Sequence, residues 1–326
     1  MKRFIAILAV STILLLFLSA WSLTSGTVET SWDALWKLFT APETLDAMII
    51  RELRLPRTLS AVFAGAGLAL AGVILQKVLR NDLASPDILG ISSGAGCAGL
   101  IMLLLLPLYS RMFNAAVFCG ALFASLLICI AAWKKGFSPV RLILAGVALG
   151  ALFNTASGVI MLCNSDKFPG IVEFAMGGFS SASMDNLLCA LPFFAGAFLI
   201  SCALPRRLEL LSLGSEEASS LGLSPGKSRL LALTAAALAA AAAVSLAGLL
   251  GFAGLMAPHI SAKLLDSGRA SRLLATAPLV GALLTLGADF AGRTLFAPRE
   301  LPCGIFLSGM GAVFFLILLW NRREEA

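Results

Sequence analysis

The feature that most constrains this chain is a series of long apolar runs with little polar sequence between them. They lie near 4–23, 58–79, 89–107, 113–133, 140–162, 187–204, 228–248, 250–264, 274–291 and 304–320. About 20 apolar residues suffice for a helix to cross a bilayer core. In that core each segment must satisfy its own backbone N–H and C=O groups, so such runs become helices. The expectation is an all-α, polytopic membrane bundle of about ten spans, forming one domain over 1–326. Composition excludes the water-soluble alternative. The chain is 59% hydrophobic and 13% charged, whereas a soluble domain is about a quarter charged.

Charge orients the bundle. With the N-terminus inside, 16 of the 24 Lys and Arg residues fall in inner segments, among them Lys77, Arg80, Lys134, Lys135, Arg206, Arg207, Lys227 and Arg323. Eight fall outside: Lys37, Arg51, Arg54, Arg57, Arg111, Lys167, Arg293 and Arg299. This bias predicts that both termini are cytoplasmic. It also accounts for the net charge of +6 without nucleic acid, because no basic patch interleaves with aromatics. Lys2 and Arg3 before the first run resemble a signal peptide. The run is longer than a signal core of about 7–15 residues and no A-x-A site follows, so an uncleaved first span is expected.

Gly, Ala and Ser are dense within the runs, as in AVFAGAGLALAGVILQ, which predicts close helix packing. The segment GISSGAG at 90–96 is read the same way rather than as a dinucleotide loop. LGLSPGKS at 221–228 resembles a phosphate loop but carries Leu221 at the first glycine position and follows no strand. The chain thus shows no ATP site of its own. Seven cysteines form no C-x-x-C pair and predict neither disulfide nor metal site. Asp289 lies deep in a run; it is read as paired with Arg293 four residues on, with a proton relay as the alternative. His259, the one histidine, is read as a packed or capping group. No nucleophile–base pair or carboxylate pair emerges, so no enzyme is expected. The inner loop 205–227 contains LSLGSEEASSLG, a short amphipathic helix candidate flanked by Gly214 and Gly222. Its acidic Glu216 and Glu217 suit a cytoplasmic partner better than an anionic lipid surface. On the outer side RELRLPR sets Arg51, Arg54 and Arg57 three apart, with Pro56 barring a regular helix through them. Pairing with Glu52 or lipid phosphate is one reading; an acidic external partner is the other.

Several stretches together resemble the permease subunits of ABC importers for iron-siderophores, haem and cobalamin. They are LRLPRTLSAVFAGAGLALAGVILQ (53–76), RNDLASPDILGISSGAG (80–96), LILAGVALG (142–150), LSLGSEEASSLGL (212–223), GLLGFAGLMAPHI (248–260) and ADFAGRTLFAPRELPCGIFLSGMGAVFFLILL (288–319). They run in family order over nearly the whole chain. The resemblance implies a homodimeric permease in a bacterial plasma membrane, with the substrate path on the two-fold axis. It implies two cytoplasmic ABC ATPases, which bind the ATP and Mg, and one extracytoplasmic binding protein. The implied cargo is a bulky iron chelate, haem or cobalamin. Residues matching the ATPase-coupling element are Leu213, Gly214, Ser215, Glu216, Glu217, Ala218, Leu221 and Gly222. Arg54, Arg57 and Arg293 match arginines that salt-bridge to the binding protein. Ser138, Pro139, Val140 and Arg141 match the cytoplasmic gate. The chain departs from the pattern at Asp82, where a proline is usual, and at Ser261 and Ala262, where an arginine is usual. FAMGGFS (174–180) is nearer the cobalamin type. The competing expectation is an ion-gradient carrier dependent on Asp289.

Overall fold

The computed structural model describes residues 2–26, 33–106, 112–132, 138–164 and 173–322. Arg111, Lys134, Lys135, Lys167 and Arg323, which entered the charge count, lie outside these. Thirteen helices are found among the described residues, and no strand. We label them α1 Lys2–Thr24, α2 Asp33–Thr40, α3 Leu45–Leu79, α4 Ile91–Leu105, α5 Phe113–Ala132, α6 Pro139–Cys163, α7 Met184–Cys202, α8 Pro205–Leu213, α9 Ser215–Ser220, α10 Pro225–Ala247, α11 Ala253–Leu265, α12 Ala270–Thr294 and α13 Cys303–Arg322. Seven (α1, α3, α5, α6, α7, α10 and α12) are long and apolar enough to cross a membrane. The further helices α4, α11 and α13 coincide with the other three apolar runs of the sequence.

α3 starts well before the apolar run that announces it. Residues Ile50–Arg54 form a π-turn, in which the Leu55 N–H reaches back to the Ile50 carbonyl. Pro56 follows directly and has no N–H to give. The wider turn lets the chain carry the proline without ending the helix, so the expected irregularity is real but the break is not.

α3 and α10 are the buried centre of the bundle. α3 packs against α12, α10 and α11. The α3–α12 crossing is made backbone to backbone: a Cβ added at Gly65 would lie 2.3 Å from the Gly281 carbonyl oxygen, and one at Gly281 would lie 2.4 Å from that of Gly65. Lipid supplies no hydrophobic drive for helix association, so such small-residue contacts supply the packing energy. α10 meets its neighbours through an almost unbroken alanine surface, Ala235 to Ala243, which is buried throughout except at Leu238. α1 buries little and presents most of its surface outward.

The connection from α3 to α4 is not helical, yet Ala84, Ser85, Pro86, Leu89 and Gly90 are buried in it. Gly90 touches Gly146 and Gly150 of α6; Gly146 lies about 10 Å inside that helix from its N-terminal end. Non-helical backbone at such depth is tolerated only when protein covers it. The glycines of GISSGAG serve that cover. Gly94 abuts Gly120 and Ala124 of α5, and Gly96 abuts Leu249.

Candidate functional site

The residues that carry chemistry gather at the two ends of the bundle. At the outer end, α1, α3, α12 and the turn after α12 converge. Arg57, one turn into α3 beyond the π-turn, faces Asp289 on α12. Its Nε donates to Asp289 Oδ1 at 3.0 Å and its Nη2 to the same oxygen at 2.8 Å. Its Nη1 donates to Glu300 Oε2 at 2.6 Å. The Asp289 side chain is 1% exposed, Arg57 14% and Glu300 34%. A guanidinium fork engaging carboxylates in this way is the strong form of an ion pair.

Arg293, one turn along α12 from Asp289, is also buried. Its Nε stands 3.6 Å from Asp289 Oδ2. Its Nη2 donates to the carbonyl of Ser22 at 2.7 Å and to the Ser22 hydroxyl, and its Nη1 to the carbonyl of Ser25 at 3.1 Å. Those carbonyls belong to the last turn of α1 and beyond, where a helix leaves acceptors unpaired. Ser22 in turn shares a 2.9 Å hydrogen bond with Thr58. Arg54 donates to the carbonyl of Leu23 at 2.9 Å. The three arginines implied as a docking set are thus brought together, but Arg54 and Arg293 are buried, Arg57 is half-buried, and all three are bound within the chain. The expected i,i+4 pairing of Asp289 with Arg293 is present as the longer contact. The dominant partner is Arg57, 232 positions away, which no local pattern reveals. Arg51 and Arg299 remain exposed, Arg51 pairing loosely with Glu52 at 3.6 Å.

One cavity opens beside this cluster, and a second adjoins the first at Glu173 and Gly178. The first, of about 200 Å³, is bordered by Arg57, Glu173, Ser180, Glu300 and Cys303. The other, of about 840 Å³, is lined by α3, α4, α5, α7 and α10 and by Glu173 and Asp185. Among the described residues no three His, Cys, Asp or Glu side chains come together to hold a metal. His259 faces the Leu255 carbonyl at 3.1 Å and the rings of Phe314 and Phe315.

At the inner end the loop 205–227 folds into two helices at an angle. α8 is seated by Leu208 and Leu211, both fully buried. Gly214 (φ 143°) breaks the helix and Gly222 (φ 80°) ends the next one, conformations that disfavour a Cβ. Between them α9 buries only Ala218 and exposes Ser215, Glu216, Glu217, Ser219 and Ser220. Leu213 and Leu221 flank it as exposed apolar residues. Acidic side chains in its first turn suit a helix N-terminus. The segment is tied to the spans by polar contacts: Arg229 of α10 donates to Ser215 Oγ at 2.9 Å, and Glu209 of α8 accepts from the backbone of Ala270 at 2.6 Å. No local pattern of residues signals these ties. Ser138 and Pro139 open α6, with Pro139 in its first turn; Val140 is exposed and Arg141 half-buried.

Along α6, Leu144, Val147, Ala148, Ala151, Asn154, Thr155, Gly158 and Leu162 share one exposed face, on which Thr155 Oγ1 donates to the Ala151 carbonyl at 2.9 Å. No described atom lies within 4 Å of a Cβ built at Gly158.

The FecCD transport family matches residues 14–321. The chain is 37% identical to the Fe(3+)-citrate import system permease protein YfmE of Bacillus subtilis (strain 168), over 99% of this chain and 98% of that protein. It is 39% identical to the hemin transport system permease protein HmuU of Yersinia pestis, over 96% and 95%. It is 34% identical to the ferric enterobactin transport system permease protein FepG of Escherichia coli (strain K12), over 94% and 92%. A metal-chelate type ABC transporter solved in an inward-facing conformation superposes with a TM-score of 0.86 at 30% identity, covering 97% of this chain and 99% of that one.

Proposed function

The chain belongs to the FecCD transport family, and from that premise we propose how its two ends and its open face are used. It is a multi-pass membrane protein, the permease subunit of an ABC importer, and not an enzyme. Such a permease works with an ATPase and a binding protein. Our further reading is a homodimer in a bacterial plasma membrane, with two ATPases that bind ATP and Mg below it. A binding protein above delivers a bulky iron chelate, such as a siderophore, ferric citrate or haem.

The observation that carries this reading is the face of α6. Its apolar Leu144, Val147 and Leu162 and its small Ala148, Ala151 and Gly158 offer a packing surface, and Asn154 among them is ill-suited to lipid, because a polar side chain in a bilayer turns toward protein or water. A second copy of the chain, with a path between the two, gives that face both. Such a path is weakly polar and lacks a tight site, leaving selection to the binding protein. α9, with Leu213 and Leu221 beside it, has the exposed acidic and apolar surface that an ATPase cleft can grip. ATP binding would draw the ATPases together and move α8 and α9, shifting a two-state bundle between outward and inward access. The gate is assigned to Ser138–Arg141, where Pro139 stiffens the entry to α6.

The buried arginines refine the docking reading. Asp289 is inaccessible, so a partner carboxylate reaching Arg57 through the 200 Å³ cavity exchanges with Glu300. Arg54 and Arg293 then hold the frame on which that exchange occurs, and exposed Arg51 and Arg299 steer the encounter.

The test is uptake into proteoliposomes containing the permease and its ATPase, given the binding protein and radio-iron-labelled ferric citrate, a ferric hydroxamate or haemin, with labelled cobalamin as comparator. The expected result is ATP- and Mg-dependent uptake of an iron chelate. Uptake of cobalamin alone, or iron uptake driven by an ion gradient without ATP, would overturn the reading.

A further inference from the structure

The N-terminus of α12 lacks a cap of its own. Arg269 at the capping position is extended (φ −63°, ψ 126°) and contributes no side-chain hydrogen bond. The first N–H of α12, that of Ala270, is instead taken by Glu209 Oε1 at 2.6 Å, from a residue 61 positions earlier on α8. Ala270 is fully buried. A carboxylate at a helix N-terminus satisfies an orphan donor and opposes the positive end of the helix dipole. Helix caps normally come from the residue just before the helix; this one comes from the segment read as the coupling element.

The far end of the same helix carries Asp289 and Arg293 into the outer cluster, and its middle interlocks with α3 at Gly281. α12 is thus held at its inner end by α8 and at its outer end by Arg57 and Ser22. We infer that Glu209 is a positioning residue that fastens the coupling segment to α12, making α12 a span through which movement of α8 reaches the outer arginine cluster. This rests on the proposed role of α8 and α9 as the ATPase contact.

Two variants remove the tie from opposite sides. Glu209→Ala removes the acceptor. Ala270→Pro removes the donor, and proline suits the first position of a helix after an extended residue. Each is assayed in the complete transporter for ATPase co-purification and for iron chelate taken up per ATP hydrolysed. The expected result is wild-type ATPase stoichiometry with uptake per ATP lowered about fivefold, the size of one lost helix cap. The double variant should be no worse than either single one, and Glu209→Gln, which keeps an acceptor oxygen, should recover most of the ratio. A wild-type ratio in both single variants would overturn the inference. So would loss of the ATPase from Glu209→Ala alone, which would make Glu209 part of the docking surface. If wild-type permease brings down no ATPase, the coupling reading itself fails instead.

Discussion

The two ends of this bundle handle charge in opposite ways. At the outer end five ionised side chains, Arg54, Arg57, Asp289, Arg293 and Glu300, come from α3, α12 and the turn after it, and nearly all are withdrawn from solvent. At the inner end the carboxylates Glu216 and Glu217 stand in solvent and Glu209 is half-buried; Arg229 is deeply buried there, and with Glu209 it ties α9 and α8 to the spans. Burial raises the stakes of every charge. Removing one partner of a buried pair strands the other in a medium that cannot solvate it. An exposed charge returns to water when its partner is lost. The outer end is therefore a clamp, and the inner end exposes the surface that we propose an ATPase grips.

The contrast can be broken most sharply at Asp289. Asp289→Ala leaves Arg293 buried without a carboxylate and Arg57 with Glu300 alone, and should cost about 3 kcal/mol of stability. Thermal unfolding in mild detergent measures it. A loss no larger than that of an exposed-charge variant would mean that water reaches the cluster and that it is no clamp. The double change Asp289→Asn with Arg57→Gln, which leaves no charge on either partner, should recover part of the loss. Next in size is Gly281→Ala, whose added methyl meets the backbone of α3; overpacking of this kind costs about 1–3 kcal/mol. An unchanged midpoint would show that the crossing relaxes easily.

The inner end is sharpened by replacing 214–222 with a Gly/Ser linker. With serine kept at position 215, so that buried Arg229 retains its partner, Ala218 is the sole buried side chain of α9 that is lost, so the permease should lose only about 1 kcal/mol while its ATPase is lost from co-purification. Retention of the ATPase would remove the segment from the coupling role. The smallest effect is expected from Glu300→Gln. Its pair with Arg57 is a third open to solvent, so stability should fall by about 0.5 kcal/mol. Binding-protein affinity should hold or rise, since a competitor for Arg57 has been weakened. A weaker complex would show that Glu300 contacts the partner directly.

Much of the architecture was legible beforehand. The seven helices able to cross a membrane and the Gly214 and Gly222 boundaries of α9 lie where apolar run length and glycine placement put them, because a bilayer admits few alternatives to a helix of sufficient length. The start of α3 was not, since a π-turn that absorbs Pro56 leaves no mark in the apolar pattern. The family was legible too, in motifs spread over the chain. At the sites, residue identities were visible and their partners were not. Arg57, Asp289 and Arg293 stand out as ionisable groups at the ends of apolar runs. Only Arg293 lies within one helical turn of Asp289, so the sequence proposes that pair alone.

What the sequence determined, then, is what each segment must do for itself: span, bend or stay in water. Those outcomes depend on local hydrophobicity and backbone hydrogen bonding, which every short stretch carries within it. What only the tertiary structure decided is who meets whom: Arg57 with Asp289 across 232 positions, Glu209 with the first amide of α12, Gly65 with Gly281. Such contacts are properties of packed neighbours, and packing between helices that are all apolar and small-residue-rich is fixed by shape, which a linear pattern of polarity does not record.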